Sequence, residues 1–365
     1  MLKPVAFNPS SMDRVCVRAT NWLGDAVMSL PAIRAIRHVF PHADIALVAR
    51  PGVADLYARE SSIDRAILYP AAKSVGDRRR FAAALRRERF DCAILLQNAF
   101  DAALIAWLAG IPERIGYRRD GRGLLLTRPI PVPEPGDIPR HERFYYLELL
   151  RRAGMMERFP EDTTIRLEGA AEARQRGAAH LASLGVEGAA VGVSPGAAYG
   201  NAKRWLPERF AEAAAKVARG LEGAASVVLF GSAAERDLAE SVAAGIARSG
   251  VSATNLAGRT TLAEFIDLAA ACRVFLTNDS GAMHVASALG VPTVAVFGAT
   301  DDTTTAPAGP VARVVREHAE CSPCLLRECP IDHRCMTRVT AERVAQTALE
   351  LTHRAVPAWI PEPKS

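Results

Sequence analysis

The sequence predicts an α/β protein built as two Rossmann-like halves facing a central cleft. Short β-branched runs alternate with Ala-rich stretches of helical period from end to end, the pattern that layers helices on parallel sheets. At 365 residues the chain has room for two cores, given roughly 100–200 residues per domain. Periodicity lapses between residues 154 and 169, where an interdomain linker belongs. Domains are therefore expected at 1–165 and 166–340, followed by a helix and tail at 341–365.

In the first half the strands are read at 14–19, 45–49, 66–69 and 92–97. Between the first two, Val27, Leu30, Ile33 and Ile36 fall on one face of a helix over 26–39, which Pro41 stops. Residues 116–140 are dense in Arg, Gly and Pro and read as an irregular excursion, the kind of loop that binds an acceptor on a rigid scaffold. A helix follows at 142–152. The second half repeats the series, with strands at 190–193, 226–230, 274–277 and 293–297 and helices opening at Pro207, Ala233, Leu262 and Gly281. In such open sheets ligands bind at the carboxyl ends of the strands.

Composition narrows the function classes. With 49% hydrophobic and 23% charged residues the chain is neither disordered, collagen-like nor a coiled coil. Residues 1–12 hold no apolar run of signal-peptide length, and no stretch approaches the roughly 18 residues of a membrane span, so a cytoplasmic location is expected. Between Lys73 and Arg143, 14 basic residues face 9 acidic ones, a surplus of five. Arg78, Arg79, Arg80, Arg86, Arg87 and Arg89, then Arg118, Arg119 and Arg122, form a basic region that would draw a phosphorylated lipid head group, or else a solvated helix face. Attachment to a membrane surface would then be peripheral and salt-sensitive. No aromatics interleave with these cations, which argues against nucleic acid.

Three blocks carry chemistry. The first runs from a strand through Asn21-Trp22-Leu23-Gly24-Asp25 into a helix. Asp25 there would cap the helix or act as general base toward a sugar hydroxyl. The second, Ser194-Pro195-Gly196 through Lys203-Arg204-Trp205, is Gly-rich without being a Walker loop or a dinucleotide fingerprint. Its Lys203 and Arg204 would neutralise a departing diphosphate, or tip a surface loop. The third is Asn278-Asp279-Ser280-Gly281-Ala282-Met283-His284, a strand-to-helix turn. Ser280 or Asp279 would cap that helix, Gly281 admits close backbone approach, and free amides there suit a nucleotide diphosphate.

A separate cluster, Cys321, Cys324, Cys329 and Cys335, lies in a Pro-containing loop at 318–336 with His318 and His333 nearby. Four thiols in 15 residues fit a structural zinc or iron–sulfur site, or free thiols and a redox-dependent disulfide. Cys16, Cys92 and Cys272 fall in strand or helix patterns and read as buried apolar fillers.

Taken together in this order, these blocks, with Leu256-Ala257-Gly258-Arg259-Thr260 and Phe297-Gly298-Ala299-Thr300, resemble the lipopolysaccharide heptosyltransferases of glycosyltransferase family 9 over nearly the whole chain. The Trp-Leu-Gly-Asp and Lys-Arg-Trp forms are more similar to the type II branch than to type I. The resemblance implies a GT-B fold and an inverting transfer of L-glycero-D-manno-heptose from ADP-heptose to the heptose/Kdo inner core on lipid A, with no required metal. It implies Asp25 as the base and donor contacts from Lys203, Glu235, Asp279, Ser280, Gly281 and His284, Arg204 standing beside them. Asn21, Trp22, Arg118, Arg119 and Arg122 are the expected acceptor contacts. A closing helix that packs back on the first domain follows from the same analogy. Two alternatives stay open: a GT-B enzyme using another nucleotide sugar, and a non-catalytic nucleotide-sugar binder, which has no need of Asp25.

Overall fold

The computed structural model describes residues 9–69 and 74–354, the last of these without its side chain. Lys73, the first eight residues and the part of the expected tail at 355–365 lie outside the described residues. The chain divides into two compact units between Thr163 and Thr164, inside the stretch where periodicity lapses.

The first unit is built on a parallel sheet of six strands in the order β3-β2-β1-β4-β5-β6. These are β1 (Arg14–Arg18), β2 (Asp44–Ala49), β3 (Arg65–Leu68), β4 (Cys92–Leu95), β5 (Glu113–Tyr117) and β6 (Arg128–Ile130). The second unit repeats the winding, in the order β12-β11-β10-β7-β8-β9. Its strands are β7 (Ala189–Ser194), β8 (Ala225–Leu229), β9 (Ala253–Asn255), β10 (Val274–Asn278), β11 (Thr293–Val296) and β12 (Ala312–Val315). Both units are therefore the Rossmann-like halves of a GT-B fold. In each the strand order reverses between the first and fourth strands, β1 and β4 or β7 and β10, and the loops leaving those two strands diverge around a ligand crevice.

Apolar runs explain the central strands. β1, β4, β7 and β10 are buried on both faces, as strands covered by helices on either side must be. Register follows: β10 pairs with β7 from Val274↔Val191 to Thr277↔Ser194, so the loops after both strands start at one level.

The helices pack by their apolar stripes. Helix Pro207–Gly220 opens on a proline whose missing N–H costs nothing there, and buries Phe210, Ala213, Ala214 and Val217. Helix Leu262–Ala270 is fixed by a capping box, with Glu264 N donating to Thr261 Oγ1 at 3.2 Å and Thr261 N to the Glu264 carboxylate at 2.7 Å.

Several expectations change. The helix expected over 26–39 is two, Leu23–Met28 and Leu30–Val39, because Pro31 has no N–H for a continuous ladder; Ser29 fills the break, donating its hydroxyl to Ala26 O at 2.8 Å. The excursion at 116–140 contains β6 and a 3₁₀ turn, Arg122–Leu125. Helix Ala341–Arg354, expected to cross to the first unit, instead buries Val344, Ala345, Ala348 and Leu351 in the second unit's core, against Pro207–Gly220.

Candidate functional site

Geometry in the second unit gathers three sequence blocks at its switch point. β7 ends at Ser194 and passes into the loop of Gly196 to Lys203, while β10 ends at Asn278 and passes through Asp279 and Ser280 into helix Gly281–Ala288. Asn278, fully buried, ties the two: its Oδ1 accepts from Trp205 N at 2.9 Å and its Nδ2 donates to Pro195 O at 2.7 Å. Trp205 closes the loop by sinking its ring edge-on against Phe210, with Nε1 donating to Val339 O at 3.2 Å. Burying such a side chain contributes on the order of 4 kcal/mol, enough to anchor a loop.

That anchoring places Lys203 against Asp279. The ammonium stands 2.6 Å from Asp279 Oδ2, and Thr300 Oγ1, arriving after β11, donates to the same oxygen at 2.6 Å. Asp279 is buried and Lys203 largely so. Tyr199 covers the cation from the other side, its ring centroid 4.9 Å from Nζ. Arg204 Nη2 donates to Ala197 O at 3.3 Å. Neither expected cap forms: Asp279 is held by Lys203 and Thr300, and the Ser280 hydroxyl meets Thr277 Oγ1 at 3.2 Å. The first-turn amides that open at Gly281 are therefore not capped by Ser280, which leaves a helix N-terminus beside a fixed cation. His284 lies buried in that first turn.

Glu235 has two attachments. Its Oε2 accepts from Ser232 N and Ser232 Oγ, each at 2.8 Å, as a capping box. Its Oε1 abuts Gly196 so closely that a Cβ there would stand 2.0 Å away. Helix capping thus occupies half of the carboxylate expected to contact the donor.

The loop at 318–336 braces this site. Ala202 N donates to Arg327 O at 3.0 Å, Tyr199 OH to Leu325 O at 2.9 Å and Cys329 N to Asn201 Oδ1 at 3.2 Å. On the other flank Leu325 N donates to Ala299 O at 2.8 Å and Ser322 Oγ to Gly298 O at 2.6 Å. Cys321, Cys324, Cys329 and Cys335 are free thiols. Burial and its three thiol neighbours push the Cys335 thiol up. Among the described residues no group of three or more His, Cys, Asp or Glu side chains is arranged to hold a metal ion.

In the first unit, Asp25 lies half-buried in the first turn of Leu23–Met28, after β1 and hence at that unit's switch point. Trp22 beside it is 67% exposed, and Asn21 Oδ1 accepts from Arg18 Nη2 at 3.1 Å. Arg118 and Arg119 are exposed. Arg122 is not: it is fully buried, with Nε donating to Tyr117 O at 2.8 Å, Nη2 to Asn98 Oδ1 at 3.1 Å and Nη1 to Gln97 O. Burial lowers its pKa to about 10. Arg122 therefore holds the loop after β4 and cannot meet an acceptor. In the basic helix Val75–Glu88, Arg78 pairs with Asp101 and Arg80 with Asp77, leaving Arg79 and Arg87 among the exposed cations.

The model of glycosyltransferase family 9 (heptosyltransferase) matches residues 78–334. The chain belongs to glycosyltransferase family 9. Within the family, this glycosyltransferase is 33% identical over 310 residues to lipopolysaccharide heptosyltransferase 2 of Escherichia coli K12, covering 83% of this chain and 88% of that one. The solved structure of the E. coli ADP-heptose LPS heptosyltransferase II superposes with a TM-score of 0.79 at 29% identity, over 93% of this chain and 99% of that one. The E. coli heptosyltransferase WaaC with ADP-2-deoxy-2-fluoro heptose shares the fold, with a TM-score of 0.68 at 20% identity over 94% and 100% of the two chains. Residues that sequence reasoning left without a role are Asn278, Thr300 and Tyr199 in the second unit. Asn278 and Thr300 stood inside motif blocks, but nothing in the blocks shows that they hold each other's neighbours.

Proposed function

We propose that this glycosyltransferase transfers L-glycero-D-manno-heptose from ADP-heptose to the inner core of lipid A-linked lipopolysaccharide, with inversion at the anomeric carbon. The observation that carries the reading is the 33% identity to a lipopolysaccharide heptosyltransferase 2 across 83% of the chain. The Lys203–Asp279 pair beside the uncapped amides at Gly281 supports the donor half, since a diphosphate needs that combination of cation and helix N-terminus.

In this reading the acceptor hydroxyl loses its proton to Asp25 while its oxygen attacks the anomeric carbon. The bond from that carbon to the diphosphate oxygen breaks, and Lys203, Arg204 and the Gly281 amides take up the charge on the departing ADP. Asp279 orients Lys203, and Glu235 Oε1 and His284 bound the donor. Asn21, Trp22, Arg118 and Arg119 meet the acceptor. No step calls for a metal, so activity in a chelator is the expected outcome, and elemental analysis of the purified protein decides whether the Cys-rich loop carries one. No helix among the described residues is long and apolar enough to cross a membrane. We place the enzyme in the cytoplasm, held peripherally at the inner membrane face by exposed cations such as Arg79 and Arg87, an attachment that salt should weaken.

The test is ADP release from ADP-heptose with a truncated inner-core acceptor. ADP should appear only with acceptor, and Asp25→Asn should lose about a hundredfold or more while still binding donor. A wild type that binds ADP-heptose yet never turns over on a core acceptor overturns the reading.

A further inference from the structure

The first unit carries an apolar face that its own fold does not cover. Helix Phe100–Leu108, which follows β4, reads Phe-Asp-Ala-Ala-Leu-Ile-Ala-Trp-Leu and holds one charged residue, Asp101. A surface helix ordinarily turns polar side chains outward. Here Ala103, Ile105 and Ala106 sink into the unit's core, while Phe100 and Trp107, seven residues apart on one face, are 46% and 49% exposed with the half-buried Leu104 between them. The 3₁₀ turn Arg122–Leu125 packs on this helix and adds Leu124, 98% exposed. Arg114 fixes the two segments side by side, its Nε donating to Leu125 O at 2.7 Å and its Nη1 to Ile111 O.

Cations border this face. Helix Val75–Glu88 holds five Arg and two acids and runs alongside Phe100–Leu108: Arg78 pairs with Asp101 near the start, and Arg86 Nη2 donates to Leu108 O at 2.6 Å at the end. The acids of both helices are committed, Asp77 to Arg80, Glu88 to Arg65 and Asp101 to Arg78. Arg79 and Arg87 stand exposed with no ion pair among the described residues. Beside Leu124, the exposed Arg118 lies so close to Gly123 that a Cβ there would stand 2.8 Å from its Cγ.

We propose that this face docks on an anionic phospholipid bilayer, with Phe100, Trp107 and Leu124 entering the interface and Arg79 and Arg87 meeting lipid phosphates. The inference rests on the reading that the acceptor is lipid-linked, and it gives the peripheral attachment an apolar part. Indole, phenyl and aliphatic groups bordered by arginines suit a membrane surface: the apolar groups leave water for the headgroup boundary while the guanidiniums stay at phosphate level. A second copy of the chain fits worse. In a two-fold pair the same face meets itself, bringing arginines together with every carboxylate of the two helices already paired. Arg118, an expected acceptor contact, adjoins the face, so docking presents the acceptor-binding unit to the surface in which a lipid-linked acceptor lies.

The deciding measurement is cosedimentation of the full chain with vesicles of phosphatidylethanolamine and phosphatidylglycerol, against vesicles of phosphatidylcholine alone. Wild type should bind the anionic vesicles about tenfold or more tightly than the uncharged ones, and high salt should leave a residue of binding carried by the apolar side chains. Leu124→Ser and Trp107→Ser should each weaken binding by roughly threefold to tenfold and remove the salt-resistant part. Arg79→Gln with Arg87→Gln should weaken it by about tenfold or more and flatten its salt dependence. Leu184→Ser, at a leucine 41% exposed in the second unit, is the control and should bind as wild type does. Should Trp107→Ser not fold, as judged by its melting transition, Leu124→Ser decides alone, since its side chain is almost wholly in solvent. Serine variants that bind anionic vesicles as wild type does overturn the inference, as does a wild type that ignores those vesicles. A dimer that dissociates in the serine variants while their vesicle binding is unchanged overturns it too and assigns the face to a second copy. The transfer reading fails separately: a wild type that binds vesicles through these residues yet turns over no core acceptor keeps the docking face and loses the acceptor.

Discussion

Lys203 and Asp279 meet at 2.6 Å across two different loops, one leaving β7 and the other β10. The cation expected to receive a diphosphate is thus held in place by a buried carboxylate before any ligand arrives. Removing one partner strands the other. Lys203→Met should cost roughly 3 kcal/mol of stability by leaving Asp279 uncompensated, and should abolish ADP binding. Adding Asp279→Asn should restore most of the stability and none of the binding. Melting curves and ADP titrations of the two variants read both effects, and a double variant that recovers ADP affinity would contradict the role given to Lys203.

Thr300 makes a narrower prediction. Its hydroxyl donates to Asp279 at 2.6 Å in a site only 9% exposed, so Thr300→Val keeps the shape and deletes one bond to a charged acceptor. The expected loss is roughly 2 kcal/mol of stability. Donor affinity should weaken with it, and calorimetry with ADP checks the coupling.

Gly200 should tolerate no side chain. A Cβ there would stand 2.1 Å from Arg327 O, so Gly200→Ala must push the brace off the loop that carries Lys203. A fall of about tenfold or more in ADP affinity is expected if the displaced brace releases roughly 1.4 kcal/mol of loop ordering. Gly52→Ala, in the first unit's helix Pro51–Tyr57, where the backbone is helical and an added Cβ meets nothing within 4 Å, serves as the control.

Stability should depend on pH through Glu142. Burial, then the charge of Asp25, raise its carboxyl from an ordinary 4.5 to about 7 on folding, so between those values the folded chain binds the extra proton. Stability then falls as pH rises from about 4.5 to about 7, the reverse of a salt-bridged carboxylate. The melting temperature of wild type should decline across this window relative to Glu142→Gln. Parallel curves for the two proteins would show that Glu142 ionises as it does unfolded.

Much of the fold was legible because its central strands are continuous apolar runs and its helices carry their own stops. Helix Glu142–Arg152 lies where it was expected, and Pro207, Leu262 and Gly281 each open the helix expected of them. The four strands that went unread lie toward the sheet margins: β9 is Ala-Thr-Asn, β12 carries Arg313, β5 begins Glu-Arg and β6 is Arg-Pro-Ile. A margin strand is half covered, so its sequence need not be apolar. The candidate site was legible where a block contains its own chemistry, as in Lys203 and Asp279. It was not where function depends on a distant partner. Nothing near Arg122 in sequence says that its guanidinium faces Gln97, Asn98 and Tyr117 rather than water.

The Cys-rich loop grips Tyr199, Asn201 and Ala202 on one flank and Gly298 and Ala299 on the other, the segments that deliver Lys203 and Thr300 to Asp279. Cys321 is exposed and Cys324 and Cys329 partly so. The donor half is thereby open to chemical control from outside: an electrophile carried to Cys329 would bond a residue whose amide is tied to Asn201, and would turn off an enzyme whose reacting groups it never touches.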